Sequence, residues 1–433
     1  MSLTEPAGER SLVQAVLQLW ALLLGIALLL AGNGLQGTLL GVVAEDSGFS
    51  SALTGLVMTA YFAGFFAGSA SAERLIGRVG HVRTFAALAS LGSIAILVHG
   101  LIIDPWVWAG MRFLTGFSFA GLYVVAESWL NRESSNTYRG ALLAIYMIIT
   151  HGSLAIGQGL LNTAPTSSLT LYALSSIIIS GALMPILLSS APQPHFTLEI
   201  ERLTLRKLFK ISPLGLTGSF CAGVANGIIL GMGAVYARRL GFEVGGVSLF
   251  MAATLVGGAA LQWPVGRLSD AWDRRYVIAV VAAGAAVIAA LMPMAAEQGL
   301  VALTCAGFFA GGLTMTLYPL SMAHTHDWLE VDQMTPASSA LVMVYGGGAM
   351  LGPLGTGLLM GAFGTSGFAY YLIGLCLALS AYAVYRITRR QAPDSTEDYL
   401  LAPAAISAGE YWAETAVEEA GESEDDPAEP QAT

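Results

Sequence analysis

The sequence predicts an all-α membrane protein, with twelve transmembrane helices in two pseudo-symmetric six-helix lobes. Three observations lead there. Of 433 residues, 55% are hydrophobic and 11% charged, with a mean hydropathy of +0.66, whereas a soluble domain carries roughly 25% charged residues. Apolar runs long enough to cross about 30 Å of hydrocarbon occur twelve times. The chain also repeats itself at half-length. Asn33-Gly34 followed by Gly48-Phe49 returns as Asn226-Gly227 followed by Gly241-Phe242, a constant 193 positions later, and the same offset carries Gly64 onto Gly257.

The spans are placed near 13–43, 52–72, 84–101, 105–130, 138–161, 170–190, 213–237, 244–265, 276–295, 299–323, 336–361 and 367–388. The first ends in Val42-Val43-Ala44, which loosely resembles a secretion-signal cleavage site. Its apolar stretch is about twice too long for a signal core, and it pairs with the seventh span in the repeat, so it is read as retained. The 51 glycines are costly in soluble helices but let membrane helices approach closely. The lobes are expected at 1–190 and 213–390. Between them, 191–212 is a polar, basic linker with Arg202, Arg206, Lys207 and Lys210 among leucines, suited to an amphipathic segment on the membrane surface. The remainder, 391–433, is an acidic tail of disordered composition.

That tail holds 12 of the 29 acids and no Lys or Arg. The other 17 acids face 19 bases, so the net charge of -10 describes the tail and not the membrane body. No basic cluster with interleaved aromatics points to nucleic acid. With both termini cytoplasmic, sixteen Lys and Arg fall inside and only Arg238 and Arg239 outside, which predicts a multi-pass membrane protein in that orientation. Cys221, Cys305 and Cys376 lie in apolar runs without a CxxC spacing and read as buried thiols, with no disulfide framework and no metal site.

Half-length repetition in so apolar a chain is the pattern of a two-lobed transporter. The segment Glu73 to Arg83 between spans two and three reads as a short basic loop, and its repeat partner runs from Gly266 to Arg275. Cations there cap helix C-termini or pair with acids on a neighbouring helix, latching the lobes on one side. Along the fourth span, Arg112, Phe119, Tyr123 and Glu127 share one helical stripe, at +7, +11 and +15 from the arginine. Arg112 lies about 10 Å into the span, where an arginine usually faces a cavity or partner; the plain alternative is that it snorkels to the surface or braces two helices. Glu127 either titrates during a transport cycle or joins the latch with Arg78, Arg83 or Arg139, and its place near the span's end favours the latch. His151 reads as a proton shuttle or, more plainly, as a hydrogen-bonded core histidine.

The loop residues resemble the major facilitator superfamily, whose signature lies between spans two and three. Gly266, Asp270, Arg274 and Arg275 match it well; in the first copy Arg78, Gly80 and Arg83 remain, while Glu73 and Gly77 replace the usual glycine and aspartate. Within the superfamily, Glu127-Ser128-Trp129-Leu130-Asn131, Arg139-Gly140 and Gly157-Gln158 are similar to the bacterial YcaD-type branch. The resemblance implies gating by the two loops and a cavity lined by spans one, four, seven and ten, so Asn33, Gln36, Phe119, Tyr123, Asn226 and Tyr318 become candidate substrate contacts. Asn33 and Asn226 also read as groups that satisfy backbone at a helix irregularity. Arg112-Phe113-Leu114-Thr115-Gly116 is similar to the R-x-x-x-G motif of proton-coupled members, which implies a coupling role for Arg112 with Glu127.

No G-x-S-x-G, H-E-x-x-H or G-x-x-x-x-G-K-S/T motif occurs, so neither an enzyme nor a bound cofactor or metal is expected. The expected function is proton-coupled export of a small amphipathic solute by a monomer in the lipid bilayer. Uptake, facilitated diffusion, a non-transporting membrane sensor and a lipid flippase are the alternatives.

Overall fold

In the computed structural model the described residues are 12–133, 139–188 and 204–389. Arg10, Arg202 and Arg390, most of the linker and the whole acidic tail lie outside them, as do the side chains of Glu73, Arg132 and Arg139. The described residues are helical throughout their ordered elements, with no strand among them.

Twelve helices are long and apolar enough to cross a membrane. The first five run Leu12–Asp46, Ser51–Val79, His81–Leu101, Pro105–Glu133 and Arg139–Leu160. The sixth span comprises Thr170–Gly181 and a short continuation Leu183–Leu188. The seventh comprises Pro213–Asn226, a π-helical turn Gly227–Gly231, and Met232–Arg239. The last five run Val244–Ala271, Arg274–Gln298, Leu300–His326, Val331–Phe363 and Ser366–Arg389. An even number of crossings puts the two ends of the bundle on one side, here called the terminus side. A small depression open to solvent lies on that side of the second lobe between Ile211, at the end of the short helix Leu205–Ile211, and Arg275, His324 and Trp328.

Helix ends differ from the sequence reading in an instructive way. The segment read as a loop, Glu73 to Arg83, is almost wholly helical, because the second helix continues past its apolar run to Val79 and the third begins at His81. Gly80 alone turns the chain, at φ 85°. Beyond the hydrocarbon a helix still satisfies its own backbone, so polarity ends the apolar run without ending the helix. Cys305 also departs from expectation: it is exposed on the outside of the bundle, while Cys221 and Cys376 are buried.

The repeat is a repeat of contacts. A Cβ on Gly64 would overlap the carbonyl oxygen of Phe113 in the fourth span, and a Cβ on Gly257 would overlap that of Phe308 in the tenth. Backbone-to-backbone packing of this kind takes the place of the hydrophobic effect, which does not drive helices together in lipid. The dipeptides Gly48-Phe49 and Gly241-Phe242 close the first and seventh spans. Each glycine takes a positive φ, 75° and 90°, and the next N–H returns to a helix carbonyl, Phe49 to Ala44 at 3.0 Å and Phe242 to Ala237 at 3.3 Å. This is a left-handed C-cap that favours glycine.

Just before those caps the repeat inverts its charge. Glu45 and Asp46 occupy the positions that Arg238 and Arg239 occupy 193 residues later. The two acidic and two basic residues pair across the lobes, Arg238 with Asp46 at 2.7 Å and Arg239 with Glu45 at 2.9 Å, and Arg239 also reaches the Ser51 hydroxyl. Further contacts between lobes include Thr59 Oγ1 donating to Met350 O at 3.1 Å, Ser248 Oγ donating to Gln158 O at 2.5 Å, and Gly55 packed on Pro353. All of these lie in the halves of the spans away from the termini.

Exposed ion pairs contribute about 0.2–1 kcal/mol each, so the two pairs together hold the lobes by about 0.4–2 kcal/mol, roughly a two- to thirty-fold bias. Replacing Arg238 and Arg239 by Glu is expected to raise the labelling rate of a Thr59→Cys reporter by an impermeant maleimide, applied from the side away from the termini, by at least about twofold. Adding Glu45→Arg and Asp46→Arg restores the slow rate; a reporter indifferent to these charges rules out the clasp. Gly257→Val is expected to destabilise the protein by about 1–3 kcal/mol through overpacking, seen as a lower melting temperature, whereas Gly110→Ala, with open space around it, leaves the melting temperature unchanged or slightly higher.

Candidate functional site

The first, second and fourth spans bring three polar side chains together in the first lobe. Asn33 Nδ2 donates to the Tyr61 hydroxyl at 3.4 Å. The Arg112 guanidinium stacks on the Tyr61 ring, 4.4 Å from its centroid. One turn away, Gln36 Nε2 donates to Thr115 Oγ1 at 3.4 Å, and that hydroxyl donates to Met111 O at 2.7 Å.

Arg112 is only 5% exposed, and its Nε and Nη1 are enclosed without an acceptor. The Tyr61 ring lies against it and His99 is within its electrostatic reach, neither of them an anion. A central charged side chain costs about 2.5–3.5 kcal/mol on insertion scales. A cation–π contact returns about 0.5–2 kcal/mol. The ring therefore offsets part of the cost and leaves the charge without a counter-ion. Snorkelling to the surface does not describe this side chain.

Nearer the terminus side, Tyr123 packs edge-on to Phe65, with ring centroids 6.1 Å apart, and lies beside Asn33. Glu127 is 4% exposed and accepts a hydrogen bond from the Tyr146 hydroxyl at 3.1 Å. Tyr318 of the second lobe is within its electrostatic reach. Fifteen residues of helix, about 22 Å at 1.5 Å each, separate Glu127 from Arg112, so the two form opposite ends of one stripe and not an ion pair.

The second lobe answers with its own asparagine and tyrosine. Asn226 Nδ2 donates to the Tyr345 hydroxyl at 3.0 Å, and the Tyr345 and Tyr318 rings stand 4.9 Å apart. Both repeated asparagines thus serve a tyrosine, but from non-equivalent helices, the second in one lobe and the eleventh in the other. The backbone role read for Asn33 belongs to Gln158, whose Nε2 donates to Gly34 O at 2.9 Å. The irregularity anticipated at both asparagines exists only in the seventh span, where the π-turn starts at Gly227.

Other candidates are placed elsewhere. Phe119, read as cavity wall, is 1% exposed and lies against Gly92 of the third span, inside the first lobe's core. A 100° helical stripe allows either placement, and the gap at Gly92 accepts the ring. His151 is half-buried and bonds Met147 O through Nδ1 at 3.1 Å. The polar residues that sequence reasoning passed over are Tyr61, Tyr146 and Tyr345. Each sits on a span that the superfamily resemblance did not assign to the lining, and a lone tyrosine in an apolar run carries no periodic signal.

The gating residues divide by lobe. Arg78 and Arg83 are exposed. In the second lobe Gly266 is buried, and Arg274, 1% exposed, donates to Ala323 O at 3.0 Å, to Asp270 at 3.3 Å and to Asp327. Arg275 binds Asp273 at 2.6 Å, and Asp273 accepts the Arg275 backbone N–H as a helix cap. Burial alone raises the Asp273 carboxyl, but the hydrogen bonds from Arg275 outweigh it and hold the group below the usual carboxylate range. These pairs tie the eighth, ninth and tenth spans of one lobe to each other, where the sequence reading expected a latch between lobes.

Comparison with known proteins agrees with this architecture. The Major Facilitator Superfamily profile matches residues 22–316 and 216–412. An uncharacterised MFS-type transporter of Yersinia enterocolitica is 30% identical over 352 residues, 78% of this chain and 86% of that protein. The uncharacterised MFS-type transporter YcaD of Escherichia fergusonii is 30% identical over 348 residues, 78% of this chain and 88% of its own. A crystal structure of a mutant of the nucleoside transporter NupG superposes with a TM-score of 0.70 at 13% identity, covering 86% of this chain and all of that one, a likeness of fold alone. With the profile spanning both lobes and these relatives aligned over most of their length, the chain belongs to the major facilitator superfamily and resembles its YcaD-type branch.

Proposed function

We propose that this transporter is a secondary transporter that works by alternating access and couples protons to export of a small amphipathic solute across a bacterial inner membrane, with both termini in the cytoplasm. The orientation rests on the sixteen-to-two distribution of Lys and Arg. The lobes, clasped by Arg238, Arg239, Glu45 and Asp46 on the side away from the termini, then correspond to a cleft closed to the outside.

The observation that carries the coupling is the polar path at the lobe interface. It runs from Arg112 through Tyr61 and Asn33 to Tyr123, and on to Glu127, which Tyr146 holds and which lies within reach of Tyr318 in the other lobe. A carboxyl surrounded by hydroxyls in one state and by water in another changes its proton affinity with the state, which is what a coupled carrier requires. The rings of Tyr61, Tyr123, Tyr318 and Tyr345 give the cleft flat apolar faces with polar tips, suited to an amphipathic solute. Amphipathic compounds re-enter through the bilayer in their neutral form, so export is the direction that needs energy. Burial of Gln36, Arg112 and Glu127 speaks against the lipid-facing polar groove of a flippase.

The test uses proteoliposomes and the compound that most stabilises the purified protein in a thermal-shift screen of metabolites and antibiotics. Wild-type flux is expected to follow an imposed pH gradient. Glu127→Gln is expected to make flux independent of pH, and Arg112→Ala to lower gradient-driven flux at least tenfold. Gradient-driven flux that survives both substitutions excludes the coupling roles. A Glu127→Gln protein that keeps its pH dependence while changing Thr59→Cys labelling assigns Glu127 to gating instead.

A further inference from the structure

We propose that Arg112 is a substrate-binding group for an oxyanion, so that the solute is an amphipathic organic anion bearing a carboxylate or a phosphate. The inference deepens the reading above, on which it relies for the cleft as the solute site.

The buried cation lacks an anion. Arg112 is 95% buried by its 5% exposure, and two of its three nitrogens are enclosed without an acceptor. The second span offers it a ring face through Tyr61, whose hydroxyl takes a hydrogen bond from Asn33 of the first span, and the third places His99 within electrostatic reach, its Nδ1 engaged by Ala95 O at 2.6 Å. The acids of the described neighbourhood are committed elsewhere. Asp104 accepts the N–H groups of Trp106 and Val107 at the start of the same helix, and Glu45 and Asp46 bind arginines of the other lobe. Guanidinium groups recognise carboxylate and phosphate through paired hydrogen bonds, and the Tyr61 hydroxyl and Asn33 amide beside it add further donors.

The place in the fold suits a ligand. Tyr61 adjoins Phe62, with ring centroids 5.4 Å apart, and Phe62 borders Gly231 in the π-turn of the second lobe. Thr59, half a turn on, bonds Met350 across the lobes. In the cleft proposed above, Arg112 stands toward the end that these lobe contacts close, where an anion entering from the terminus side would come to rest. The tyrosine rings of both lobes lie on the way and receive the apolar part of the solute. Binding there also gives the ligand a hold on the residues beside the lobe contact, the differential interaction that a transport cycle needs.

The experiment measures binding to the full chain in lipid nanodiscs at one fixed pH without any gradient, by thermal shift and titration calorimetry. The probes are octanoate, phenylacetate, octyl phosphate, inorganic phosphate, neutral octanamide and cationic octylamine. At least one organic anion is expected to raise the melting temperature of the wild type, while octanamide and octylamine do not. Octanoate and phenylacetate against octyl phosphate separate carboxylate from phosphate recognition, and inorganic phosphate as the best probe overturns the amphipathic part. Arg112→Gln is expected to weaken the anion at least tenfold, and Arg112→Lys, which keeps the charge but not the fork, to fall between. If Arg112→Gln does not fold, Arg112→Lys decides, because a helix brace predicts a lower melting temperature with unaltered anion affinity. Anion binding unchanged in the variant, no binding by any anion, or equal binding of octylamine each overturns the proposal. Binding without a gradient stands apart from flux, so pH-independent transport with intact anion binding defeats the coupling reading and spares this one.

Discussion

Inside a bilayer there is no water to complete an unmet hydrogen bond, so each polar group must be satisfied by the protein or face a cavity. Much of this structure follows from that constraint. Hydroxyls of the spans turn back to their own helix, as Thr84 does to Gly80 O and Thr254 to Phe250 O. Ser93 gathers Ser176 and Ser180 between the third and sixth spans. Gln158 closes the account of Gly34 and Thr38. Against this background Arg112 stands out, because its cation lies on a ring with two of its nitrogens lacking an acceptor.

The second theme is how a symmetric fold carries asymmetric work. Glycines at equivalent places bring equivalent helices to backbone contact in both lobes. The same equivalence puts Glu45-Asp46 opposite Arg238-Arg239, and an inverted charge at a symmetric position turns a repeat into a clasp. The terminus side differs. Arg274 and Arg275 pair with acids of their own lobe, while Arg78 and Arg83 stand exposed. A charged clasp at one end of two packed lobes is an element of the kind whose opening and closing an alternating-access cycle would use.

How much of the site was legible depended on the kind of signal. Arg112, Asn33 and Asn226 were visible because polar residues in apolar runs are expensive and therefore conspicuous. Tyr61, Tyr146 and Tyr345 were not, since a tyrosine serves equally well in a core, a lipid face or a cleft. Phe119 was misplaced for the converse reason. It shares the fourth-span stripe with Arg112, but a gap beside Gly92 takes its ring into the lobe.

By itself the sequence determined the twelve helices, their order and the two-lobed repeat, because hydrophobic length and periodic glycine are local properties that a bilayer reads directly. It also held the charge inversion in plain view, as two acids and two arginines 193 residues apart. Only the tertiary structure decided which charges meet. It paired Arg239 with Glu45, confined Arg274 to Asp327 and left Arg112 against Tyr61. Ion pairing acts over a few ångströms between residues far apart in the chain, and nothing local in a sequence fixes that distance.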